Sequence, residues 1–70
     1  MTTHDYHDTQ YRTFQGHETR QVGIDGAAYD DAWYWEPAEY EGDTLWSNRY
    51  ETEEDAKVEA ELAYDNGDWS

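Results

Sequence analysis

Rings must do the work of aliphatics in this chain. Across 70 residues there are four Trp, seven Tyr and one Phe, while the branched aliphatics are limited to Val22, Ile24, Leu45, Val58 and Leu62. High charge with few aliphatics ordinarily leaves a chain disordered, because too little apolar surface is buried to offset the ordering entropy. Each aromatic ring can bury roughly 150–250 Å², so a thin core of rings makes a folded domain feasible. A chain of this length buries only about 60% of the surface its unfolded form exposes. A homodimer or a bound partner would therefore add useful stability.

The periodicity predicts an α+β fold: a three- or four-stranded antiparallel sheet with one C-terminal helix packed on a face. Residues 1–9 are polar, lack periodicity and read as a flexible arm, and residues 10–70 read as a single small domain. Tyr11-Arg12-Thr13-Phe14 and Arg20-Gln21-Val22-Gly23-Ile24 are short β-prone runs, expected to pair as a hairpin through Gln15–Glu18. Asp25-Gly26 signals a turn, with Ala27–Asp31 continuing it as a loop. Ala32-Trp33-Tyr34-Trp35-Glu36 predicts a strand with Trp33 and Trp35 on one face and Tyr34 and Glu36 on the other. Pro37 ends it or marks an edge. Glu41-Gly42-Asp43 would turn the chain into a partner strand over Thr44–Tyr50.

The helix is expected from Glu53 to Asp65. Thr52 and Asp55 have the spacing of a capping box, Glu53, Glu54 and Asp55 suit the positive end of the helix dipole, and Asn66-Gly67 supplies a stop. Val58, Leu62, Ala63, Ala56 and Ala60 share one side, with Glu53, Glu54, Lys57, Glu61 and Asp65 on the other. Glu59 falls within the apolar arc and is expected to pair with Arg49 or sit at its periphery. The expected core is Phe14, Val22, Ile24, Leu45, Val58 and Leu62 with part of the Trp set, and Trp69 folding back over its end.

Charge is the main functional signal. From Asp30 onward fourteen acidic residues face only Arg49 and Lys57, while the first 29 residues carry four acids against Arg12 and Arg20; the whole chain is −14. Such a charge repels nucleic acid and anionic lipid, so direct binding to either is disfavoured. No apolar run approaches the roughly 20 residues that span a bilayer. The absence of cysteine removes disulfides and thiol chemistry and fits a cytoplasmic setting. His4, Asp5, His7, Asp8 and His17 have metal-ligand chemistry but no predicted frame, and no metal or cofactor is expected. The acids sit beside one another on exposed faces, unlike an isolated catalytic carboxyl with a raised pKa, and neither a nucleophile turn nor a phosphate loop is present. An enzyme is not expected.

As an array the acids make more sense. B-DNA phosphates recur every 3.4 Å of axis per strand, same-face strand positions lie about 6.8 Å apart and helix neighbours at i+3 or i+4 about 5–6 Å apart. The candidate partner-binding residues are Asp30, Asp31, Glu36, Glu39, Glu41 and Asp43 around the second hairpin, Glu51, Glu53, Glu54, Glu61 and Asp65 on or beside the helix, and Tyr34 and Tyr40 as exposed rings able to stack on arginine. A merely solvated acidic face is the plain alternative, as in a salt-adapted interaction protein or a structural phage subunit. In size, acidity and lack of catalytic motifs the chain resembles small phage-encoded inhibitors of host defence, the anti-CRISPR and antirestriction DNA-mimic type. Gly42-Asp43-Thr44-Leu45-Trp46-Ser47 through Tyr50-Glu51-Thr52-Glu53-Glu54-Asp55-Ala56 also looks like the strand-then-capped-helix ending of many small phage proteins. The resemblance implies a non-enzymatic inhibitor acting on a basic nucleic-acid-binding complex, most readily a CRISPR effector, and assigns no residue a role.

Overall fold

A computed structural model describes residues 1–23 and 26–69. The helix, α1, spans Glu53–Asp65, the bounds its local signals predict. Thr52 Oγ1 accepts from the Asp55 amide at 3.1 Å. At the other end Gly67 takes φ +77°, its amide bonds to Tyr64 O and that of Asp68 to Ala63 O, the paired bonds of a Schellman stop. No helix of the described residues is long and apolar enough to cross a membrane.

The architecture is α+β, with α1 packed on one face of an antiparallel sheet. The strands are β1 (Thr2–Tyr6), β2 (Thr9–Gln15), β3 (Val22–Gly23), β4 (Gly26–Ala27) and β5 (Trp33–Pro37), in a three-stranded sheet β1-β2-β5 and a separate β3-β4 pair. Residues 1–9, expected as a flexible arm, instead supply β1 and the turn into β2, with His4 opposite Tyr11 and Tyr6 opposite Thr9. Its alternation is of polar and ring side chains, so hydropathy gives no sign of it. His7, at φ 54°, turns the chain.

Strand pairing also differs from expectation. β2 gives one edge to β1 and the other to β5, leaving none for Arg20–Ile24; Val22–Gly23 pairs with Gly26–Ala27 instead. The turn expected at Asp25-Gly26 and the core position of Ile24 fall partly or wholly outside the described residues. Nor does Thr44–Tyr50 form a strand beside β5. Among the described residues it meets the sheets at single bridges, Val22 to Thr44 and Trp33 to Tyr50. Between them the Trp35 amide donates to Ser47 Oγ at 3.0 Å, a side chain standing where a ladder carbonyl would be.

The pleat sorts side chains between two covered faces. Tyr11, Thr13, Trp33 and Trp35 alternate with Arg12, Phe14, Tyr34 and Glu36. Tyr11 and Trp35 meet Ala56 and Ala60, with Trp33, Trp46, Tyr50 and Trp69 packed around them. On the reverse face Phe14 and Tyr34 stack at 6.0 Å. Of the expected core, among the described residues, Phe14 and Trp35 are buried; Val22, Val58 and Leu62 are 44%, 46% and 48% exposed and Leu45 is half-buried. Seating the two small alanines against broad rings turns Val58 and Leu62 outward. Trp69 does fold back, donating from its indole N–H to Ala60 O at 2.8 Å and lying 5.4 Å from Trp35.

One glycine is compelled by close approach. A Cβ on Gly16 would stand 1.9 Å from Tyr29 O, a backbone atom that cannot swing aside. Gly16→Ala is expected to destabilise the fold by about 1–3 kcal/mol in urea titration. In Gly42→Ala the obstacle is the Tyr40 phenol tip, so the cost should be smaller. Equal midpoints for Gly16→Ala and the wild type would refute this account of the crossing.

Candidate acidic interaction surface

Residues four apart on a helix share a flank, so Glu53, Lys57, Glu61 and Asp65 form one row. The hydrophobic pattern puts that row in water; the structure turns its acids toward the sheet. Glu53 accepts from Thr13 Oγ1 at 3.0 Å, Glu61 from the Tyr11 hydroxyl at 2.8 Å and Asp65 from the Tyr6 hydroxyl at 3.1 Å. In return the Tyr64 hydroxyl donates to Asp8 at 2.8 Å in the β1–β2 turn. Together these bonds make a polar seam along one flank of α1. Burial, then the bond to Glu61 and the nearby charges of Glu61, Glu54 and Glu53, raise the Tyr11 hydroxyl well above its ordinary pKa. The Tyr64 hydroxyl is raised chiefly by its bond to Asp8.

Other candidates are likewise spent within the fold. Glu36, 3% exposed, lies across the strands from Arg12 and pairs with its guanidinium, which also donates to Tyr40 O at 2.8 Å. Tyr34 is buried and accepts from the Tyr29 amide at 3.1 Å, so it is not an exposed stacking ring. The Tyr40 hydroxyl donates to Thr44 O at 2.7 Å, and its ring packs edge-on to Trp46. Of the two positions expected for Glu59 the peripheral one holds: it is exposed and, among the described residues, unpaired with Arg49, which lies 4.3 Å over the Tyr29 ring. Among the N-terminal histidines, His4 Nε2 lies 2.7 Å from Thr13 Oγ1 and His7 stacks on Tyr64.

Of the candidate acids, those that remain exposed and unspent fall into two groups. Asp30, Asp31, Glu51 and Glu54 gather at one end of the sheet. The amide of Gly16 bonds to Ala32 O and that of His17 to Asp30 O, drawing the Asp30-Asp31 turn onto the end of β2. Reciprocal bonds between Trp33 and Tyr50 bring Glu51 to the same end, where the bond from Thr13 to Glu53 anchors the start of α1. Asp55 and the partnered but exposed Glu18 lie at the same end, though neither is among the candidate partner-binding residues. Asp55 lies in the capped first turn, whose acidity was legible, whereas Glu18 has no local signal. The Gln15 amide and the terminal ammonium hold the Glu18 carboxyl below its ordinary pKa. Glu39, Glu41 and Asp43 belong to the segment after β5 and form the second group. The hairpin and helix acids therefore do not make one continuous row.

No family model, curated protein or solved structure matches this chain.

Tyr11 gives the seam a pH signature. A hydroxyl whose folded pKa is raised contributes stability fully below its unfolded value of about 10, and that contribution fades as pH climbs toward the folded value. Stability should thus fall above about pH 10, and Tyr11→Phe should flatten that limb while costing about 1–2 kcal/mol at neutral pH. Chemical denaturation followed from neutral to alkaline pH measures both. An unchanged alkaline limb in Tyr11→Phe would refute the assignment.

Proposed function

We propose that the protein is a non-enzymatic inhibitor that occupies the basic nucleic-acid-binding groove of a host defence complex. The resemblance in type makes a CRISPR effector the first target to test. The observation that carries this reading is the framed acidic end, where backbone bonds hold Asp30, Asp31 and Glu51 and the side-chain bond from Thr13 to Glu53 anchors the first turn of α1 that carries Glu54. A framed array loses less ordering entropy on binding than a tail does, and meets lysine and arginine much as phosphates would. The net charge of −14 steers it toward a basic groove and away from nucleic acid itself.

Binding of this kind should be fast at low salt and weaken steeply as salt screens it. Duplex DNA should compete for the same groove. Reversing Asp30, Asp31, Glu51 and Glu54 to lysine should abolish capture of a nucleic-acid-binding protein from nuclease-treated lysate while the circular dichroism stays native. Glu53 and Glu61 are unsuitable for such reversal, because their carboxylates hold the helix. Salt-insensitive capture, or failure of DNA to compete, would overturn the proposal.

The division of the acids favours a second reading. Glu39, Glu41 and Asp43 stand apart from the framed end, as expected if the carboxylates of a small interaction or structural protein serve chiefly to hold water. Unfolding on dilution below molar potassium chloride would support a salt-adapted protein; a native spectrum at low salt would count against it.

A further inference from the structure

The flank of α1 away from the seam borders a cleft of about 330 Å³. Glu59 and Leu62 form its helical side, and Trp35, Trp46 and Tyr50 contribute to the facing wall. Leu62 is 48% exposed, and Val58 one turn earlier continues an apolar lip. Glu59, exposed at the edge of these rings, has no ion pair or side-chain hydrogen bond among the described residues. Burial, then the charge of Glu59, raises the Tyr50 hydroxyl above its ordinary pKa, so the carboxylate acts on the aromatic wall. Asp68 adds a second acid at the rim.

We propose that this cleft docks a basic amphipathic segment of a partner protein. Apolar side chains of that segment would cover Leu62 and Val58. A lysine or arginine would lay its stem and cation against Trp46 and Tyr50 and pair with Glu59. Charge complementarity selects this occupant: a second copy of a −14 chain would bring like charge to Glu59 and Asp68, and nucleic acid would be repelled. The inference goes beyond the groove-occupying reading and does not rest on it, since the cleft is on a flank of the helix and its contact is partly apolar.

The test uses a synthetic helical peptide with leucine on one face and lysine and arginine on the other, against a scrambled peptide of the same composition. Tryptophan emission and peptide anisotropy report binding. The amphipathic peptide should bind more tightly than the scrambled one and keep that advantage at high salt. Leu62→Ser and Glu59→Gln should each weaken it about tenfold, and Asp5→Asn on the distant edge strand should not. Both altered side chains are exposed, so a native circular dichroism spectrum is expected; Val58→Ser provides a second apolar variant. Equal affinity for the two peptides, or no loss in both Leu62→Ser and Val58→Ser, would overturn the proposal. So would self-association in sedimentation that Leu62→Ser abolishes, because the occupant would then be a second copy.

Discussion

The helix is held to the sheet by carboxylates receiving hydroxyls, and much of the fold depends on that arrangement. Ala56 and Ala60 let α1 approach Trp35 and Tyr11 closely, but two methyl groups offer little apolar area. The bonds from Thr13 to Glu53, Tyr11 to Glu61 and Tyr6 to Asp65 fix the rotation and sliding of the helix. Hydrogen bonds to charged groups contribute roughly 1.5–3 kcal/mol where they are sheltered, so a few such bonds can matter in a small domain. The same rotation leaves Val58 and Leu62 outside.

The sheet has an analogous solution on its reverse face. Arg12 and Glu36 sit opposite one another across β2 and β5, beside the Phe14–Tyr34 stack. An acid that contributes to the net charge is thereby enclosed with one of the few cations. Net charge alone is consequently a poor guide to the surface a partner meets. The acids separate into those that brace the helix, one enclosed with arginine, and those left in water at the ends, in the loops and, as with Glu59, on the open side of the helix.

What could be read from the sequence follows the range of each signal. The helix bounds depend on Thr52, Asp55 and Asn66-Gly67, all within a turn of the ends they mark. The core of the strand predicted over Ala32–Glu36 was legible from its Trp and Tyr residues, and its partner was not: β-propensity says that Trp33–Pro37 is extended without saying that β2 lies beside it. The first strand escaped notice because Thr2, His4 and Tyr6 alternate in shape rather than in hydropathy. Hydropathy likewise assigned Ala56 and Ala60 to the inside correctly and Val58 and Leu62 incorrectly, having no measure of a tyrosine donating to a glutamate. For the surface, Asp30, Asp31, Glu51 and Glu54 are exposed as anticipated, whereas Glu36 is buried through a cross-strand neighbour 24 residues away in sequence.

The close crossing at Gly16 extends this dependence to a residue without a side chain. The Asp30-Asp31 turn lies against the end of β2 because the Tyr29 carbonyl occupies the space a Cβ would need. The position of two charges is thus set by an uncharged residue distant in sequence. Random substitutions selected for weakened partner binding would then gather at Gly16 as well as at the acids, and a map of that surface drawn from charge alone would omit one of its determinants.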